Sequence, residues 1–216
     1  MGNATDHTGH SRRPPNHFCG CYSGVKQRDA MVRSFVREGL FRGDRILCLL
    51  PDAEPDRQGL TGGPFFDEAP RPRNHQLTFH RSQGIYLPDD TFDPDRALSL
   101  LVSFVHSSLE LGFKGVRVVS DAAWLLDHPL GAHHVVDYEN RVNTVVEGMP
   151  CTLLCLYPGR SLPKGFLAYA FLSHPYILRK GRPLFNPHYG DYDTLMNTPS
   201  ADAAYATLLK SLVPTS

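Results

Sequence analysis

Apolar residues in this chain follow two alternating rhythms. Short unbroken runs at 18–22, 45–50 (RILCLL), 115–120 (GVRVVS) and 151–157 (CTLLCLY) have the pattern of strands covered on both faces. A weaker run, QLTFHRS, adds a strand near 76–82. Between these, apolar positions recur at helical spacing. Val25, Ala30, Met31, Phe35, Val36 and Leu40 form one such series, with Gly43 placed to stop it. Ala97, Leu98, Leu101, Val105 and Leu109 form a second, behind Asp93 and Asp95. Further helices are predicted at 121–126, 133–148, 163–175 and 200–213; the last carries Ala203, Ala204, Leu208, Leu209 and Leu212. Strands alternating with helices mean right-handed crossovers and an α/β fold with a mostly parallel central sheet flanked by helices.

Two stretches break the rhythm. Residues 1–16 are polar and aperiodic and read as a tail, leaving one domain over 17–216. Residues 51–74, rich in proline, glycine and acid, read as a long excursion. With 216 residues and 41% apolar composition, the chain can bury a sizeable core.

Charge narrows the function. Twenty-two basic residues balance 22 acidic ones, so no electrostatic footprint for nucleic acid is expected. No apolar stretch approaches the roughly 20 residues that span a bilayer, and no secretory core opens the chain, so a cytoplasmic location is expected. Five cysteines, an odd number, are expected to be reduced thiols.

Candidate chemistry concentrates in HFCGCYSGVKQ, residues 17–27. Its strand-to-helix setting suits a phosphate loop, but Gly20 and Gly24 are spaced one residue too closely, Val25 precedes Lys26, and Gln27 replaces the metal-binding hydroxyl. A tight turn using glycine at positive φ is expected instead. On an extended strand His17, Cys19 and Cys21 share one face. They would make a metal or redox site, zinc being the natural ion, if the strand bearing Cys155 or the segment bearing His174 lay alongside. Cys151, Cys155 and Tyr157 share a face of their own strand, but Cys151 and Cys155 would stand about 13 Å apart. A nucleophilic reading would pair Cys19 or Cys21 with His17 or His174, oriented by Asp121. No nucleophile elbow or oxyanion loop accompanies it, so binding is expected ahead of catalysis.

Several segments taken in order carry a resemblance: HFCGCY at 17–22, EGLFRG at 38–43, GIYLPDDTFD at 84–93, GVRVVSDAAW at 115–124, DYENRVN at 137–143, CLY at 155–157, His174-Pro175 and NPHY at 186–189. Their order resembles the MEDS domain, a sensory domain of methanogen and methylotroph signalling proteins. The resemblance covers roughly residues 15–190. It implies a RecA/KaiC-like three-layer core with a degenerate nucleotide loop. It further implies a cytoplasmic sensor for simple hydrocarbon derivatives, acting with a kinase- or ATPase-type partner or a transcription regulator. Residues carried over by motif are His17, Tyr22, Asp121, Trp124, Tyr138, Glu139, Cys155, Tyr157, His174 and Asn186. The cysteine at 21 and the long 51–75 stretch depart from the family pattern.

In open parallel sheets, ligands sit beyond the carboxyl ends of strands, where Tyr22, Asp121 and Tyr157 are expected. His17 and Tyr22 would then hydrogen-bond a ligand, Trp124 and Tyr157 would form an apolar wall, and Asp121 or Glu139 would anchor a polar group. Each has a plainer reading. Trp124 is ordinary core, Asp121 and His174 are helix caps, Glu139 is solvated, and Asn186 belongs to a turn. The leading expectation is a non-catalytic sensory module, with a homodimer as one option. The alternatives are a metal or redox sensor built on His17, Cys19 and Cys21, and a relict nucleotide binder.

Overall fold

The computed structural model describes residues 16–51, 70–179, 181–193, 197 and 200–211. The tail, apart from Asn16, and most of the 51–74 excursion lie outside the described residues. The chain runs β1 (His17–Tyr22), α1 (Val25–Arg42), β2 (Arg45–Leu50), β3 (Leu77–Arg81), α2 (Ser82–Tyr86), α3 (Pro94–Glu110), β4 (Val116–Asp121), a 3-10 turn (Ala122–Leu126), α4 (Ala132–Val146), β5 (Cys151–Pro158), α5 (Lys164–Leu172), β6 (Tyr176–Arg179), β7 (Arg182–Phe185) and α6 (Ala201–Ser211).

Seven strands form one sheet in the order β3-β2-β4-β5-β1-β6-β7. Every pair is parallel except the β6–β7 hairpin. The expected mostly parallel α/β sheet is therefore present. Neither the hairpin nor α2 was expected: their segments are too short and too mixed in polarity to show a period.

Local chemistry sets the element ends. Gly43 adopts φ 78 and closes α1, while Asp44 N–H reaches back to the Gly39 carbonyl at 2.9 Å. Asp93 caps α3 by accepting from Arg96 N–H at 3.0 Å, with Pro94 at the first helical position. The turn between β1 and α1 departs from expectation. Gly24 sits at φ 177, an extended conformation, and Gly20 is a strand residue. Space calls for glycine at Gly20, where a Cβ would stand 2.9 Å from Leu156 Cδ2, whereas a Cβ on Gly24 would meet nothing within 4 Å.

Strand alternation splits the interior in two. Cys151, Leu153, Cys155 and Tyr157 of β5, with Cys19 of β1, join the larger core. Leu154 and Leu156 of β5, with Phe18 and Tyr22 of β1, join a smaller core under α1. Both faces are covered, which is why these strands read as continuous apolar runs.

Candidate functional site: a buried polar cluster at the end of an apolar cavity

β1 and β5 are adjacent, with Cys19 opposite Cys155 and His17 opposite Leu153. β6 pairs with the other side of β1, Phe18 opposite Tyr176, which brings the segment just before β6 beside the start of β1. His174 therefore lands against His17, ring centroids 4.3 Å apart. From above, α4 buries Val135, Glu139, Val142 and Val146, so Glu139 projects inward on the apolar stripe.

These placements converge. Glu139 Oε2 lies 3.3 Å from His17 Nε2, 3.5 Å from His174 Nε2 and 3.9 Å from Cys155 Sγ. His17 Nε2 is 3.4 Å from Cys155 Sγ. The other carboxylate oxygen, Oε1, accepts the Tyr157 hydroxyl at 2.7 Å. All four donors are buried, the two histidines completely. Among the described residues, His17, Glu139, Cys155 and His174 form the group whose ligand atoms lie within 4.8 Å of one another.

Electrostatics follow from burial. Burial and then the Glu139 carboxylate push the Cys155 thiol and the Tyr157 phenol well up, so both keep their protons near neutrality. Burial and the neighbouring His17 bring His174 down to about 4. Burial alone would raise Glu139, but His174, His17 and the Tyr157 hydroxyl outweigh it and bring the carboxyl down to about 2. A charged His174 acting on Glu139 conflicts with a ring held neutral. The neutral ring prevails, because His174 Nε2 makes no hydrogen bond. The downward direction for Glu139 then rests on the Tyr157 hydroxyl, which donates to Oε1 at 2.7 Å.

Glu139, Cys155 and Tyr157 also line a cavity of about 290 Å³. It lies between β2, β4 and β5 below and α2, α3 and α4 above. Tyr86, Phe92, Trp124 and Tyr138 line it as a continuous aromatic wall. Trp124 stacks on Tyr86 at 5.4 Å and 16°, and Tyr138 meets Phe92 edge-on at 5.4 Å. The Tyr86 hydroxyl pairs with Ser120 at 2.9 Å.

The remaining candidates fall elsewhere. Tyr22 belongs to the opposite face, where its hydroxyl donates to both Asp121 oxygens at 3.0 and 3.1 Å. Asp121 also accepts Ala123 N–H at 2.9 Å, the helix-capping reading. Neither Tyr22 nor Asp121 lines the cavity, and His17 does not either. Cys19 and Cys21 share the face of the cluster but stand outside its group of converging donors. Asn186 donates to the Phe171 and His174 carbonyls at 2.7 and 2.9 Å and accepts His188 N–H at 3.1 Å. Sequence reasoning missed Tyr86, Phe92 and Asn143. For Asn143 a signal existed: it lies one helical turn from Glu139, next to the buried stripe.

The fold is a single-sheet α/β domain that encloses an aromatic-walled cavity. The family model for MEDS, the methanogen/methylotroph, DcmR sensory domain, matches residues 16–175, and the chain belongs to that family. A search of curated proteins finds no match. No helix among the described residues is long and apolar enough to cross a membrane.

Proposed function

We propose that this domain is a sensor whose ligand is a small, mainly apolar molecule held in the aromatic-walled cavity. The observation that carries this reading is the cavity itself. Its wall is mostly apolar, with Glu139, Cys155 and Tyr157 gathered in one polar group and Arg45, Thr78, His80 and Ser120 as further polar positions. At about 290 Å³ it falls at the lower limit of small-molecule pockets. A short hydrocarbon derivative with one polar end matches that shape and polarity, the polar end facing Tyr157 and Glu139 and the carbon body against Trp124 and Tyr138. The family name supports a sensory role.

The core is RecA/KaiC-like in this reading. β1 is an interior strand, and α1 follows it after two residues, the position a phosphate loop occupies. The loop's departures from the phosphate-binding pattern turn the domain from hydrolysis to sensing. Occupancy is relayed to a separate cytoplasmic chain, a kinase- or ATPase-type protein or a transcription regulator.

A thermal-shift screen tests this with short alcohols, halocarbons, short carboxylic acids and magnesium nucleotides. A ligand at 100 times its dissociation constant adds about 2.7 kcal/mol, or roughly 5–11 °C for a domain of this size. Ala97 lines the cavity, and Ala97→Leu, which fills part of it, abolishes that shift while leaving a folded protein. Stabilisation by nucleotide alone, or a ligand shift indifferent to Ala97→Leu, overturns the proposal.

A further inference from the structure

The hydrogen bonds around the buried cluster fix the protons on its imidazoles. Asn143 Nδ2 donates to the Ser173 carbonyl at 2.8 Å, which turns Asn143 Oδ1, an acceptor, towards His17 Nδ1 at 2.8 Å. His17 Nδ1 must therefore carry hydrogen. His174 Nδ1 lies 2.6 Å from the Ala170 carbonyl, which can only accept, so it too carries hydrogen. In a neutral ring the other nitrogen is then a bare lone pair. Both Nε2 atoms point at Glu139 Oε2, itself an acceptor. The Cys155 thiol can donate to His17 Nε2, but His174 Nε2, fully buried, still finds no hydrogen-bond partner. Lone pairs facing one another in a buried site are unfavourable unless something positive, a proton or a metal ion, stands among them.

We propose that His17, Glu139, Cys155 and His174 form a four-coordinate site for a divalent ion of the zinc class. Bond lengths of about 2.0–2.3 Å define a tetrahedron with edges of roughly 3.3–3.8 Å. Of the six separations among the donor atoms, four are 3.3, 3.4, 3.5 and 3.9 Å, and all six lie within 4.8 Å. With Cys155 as thiolate and Glu139 as carboxylate, the donor set carries two negative charges and cancels those of the ion. Two imidazoles and a thiolate disfavour magnesium and calcium, which take oxygen ligands. The outer contacts complete the site. Asn143 and the Ala170 carbonyl orient the imidazoles, and Tyr157 holds Oε1 so that Oε2 faces inward. Glu139 and Cys155 line the cavity, which gives an ion its way in. This site stands whatever molecule occupies the cavity, and it excludes Cys19 and Cys21 as ligands.

The test uses the full chain without an affinity tag, stripped by chelator and reloaded with zinc or cobalt(II). Elemental analysis is expected to find one zinc per chain. The cobalt form is expected to show strong visible bands of a tetrahedral ion and a thiolate charge-transfer band that vanishes in Cys155→Ser. His174→Ala is expected to weaken zinc more than about 100-fold. Asn143→Ala, which releases both His17 Nδ1 and the Ser173 carbonyl, is expected to weaken it about 10–100-fold, with part of the affinity restored by Asn143→Asp, which returns an acceptor to Nδ1 but no donor to Ser173. Substoichiometric zinc after reloading overturns the proposal, as does a charge-transfer band that survives Cys155→Ser. So does zinc binding that is lost with the exposed pair His133→Ala/His134→Ala and unaffected by His174→Ala.

Discussion

Tyr157→Phe removes one oxygen from the interior and nothing else. In the native protein that oxygen donates to Glu139 Oε1 at 2.7 Å, with the tyrosine 1% and the glutamate 4% exposed. The ring stays in place, so no cavity term enters, and the loss is that of a hydrogen bond to a buried carboxylate. Such bonds contribute about 1.5–3 kcal/mol, and an acceptor left unpaired forfeits most of that. Tyr157 borders the cavity, so a water can recover part of the loss. The expected destabilisation of the metal-free protein is about 2 kcal/mol, a fall in Tm of roughly 4–8 °C at this chain length. Urea unfolding with an unchanged slope measures it. A cycle with Glu139→Gln isolates the pair, with an expected coupling of about 1 kcal/mol or more. A change within about 0.5 kcal/mol of zero would refute the picture of an ionised Glu139 held by the tyrosine.

Three other outcomes follow from packing and burial. Gly39→Ala should gain about 1 kcal/mol in helix propensity, but its Cβ would stand 2.7 Å from Arg117 Cδ and 2.9 Å from Ile46 Cδ1. Overpacking of about 1–3 kcal/mol wins, so a net loss is expected in thermal unfolding, and a gain would show that the contact yields. Arg117 is buried, bonds Asp44 at 3.1 Å and Glu38 at 2.8 Å, and lies 4.7 Å over the Phe35 ring. Arg117→Lys cannot reach both carboxylates at once, so a loss of about 1–2 kcal/mol is expected, and unchanged urea stability would contradict that. Burial and Asp44 push the Cys151 thiol up to about 12, leaving about one molecule in ten thousand as thiolate at pH 8. Iodoacetamide mapped by mass spectrometry should therefore label the half-buried Cys21 well before Cys151; the reverse order would show that β5 opens.

The order of strands and helices was legible because two-face burial makes each central strand a continuous apolar run and each covering helix amphipathic. RILCLL spans β2 without error, and CTLLCLY falls one residue short of β5. Lost were the elements with no period of their own. The β6–β7 hairpin is half exposed, and α2 holds two buried residues, Ser82 and Tyr86. At the site, parity along strands put Cys155 and Tyr157 on one face correctly. It could not say that β6 would bring His174 to His17, because that depends on strand order. Nor could parity say that Tyr22 and Asp121 would lie away from the aromatic-walled cavity. The sheet's opposite face carries both, and their polar groups satisfy each other. Glu139 illustrates the remaining ambiguity: an acid in phase with Val135, Val142 and Val146 is either an error in the stripe or a functional group, and the sequence has no sign for which.

Asn186 lies eleven residues past the end of the family match, yet its amide clamps the main-chain carbonyls of Phe171 and His174. Both bonds are to backbone, so they dictate where the peptide runs rather than which side chain it bears. A fragment trimmed at the match boundary would retain every residue of the buried cluster and lose the bracket that aims one of them. The structural support of the cluster thus extends past the matched segment, and expression boundaries drawn for this chain need to enclose the hairpin and the asparagine behind it.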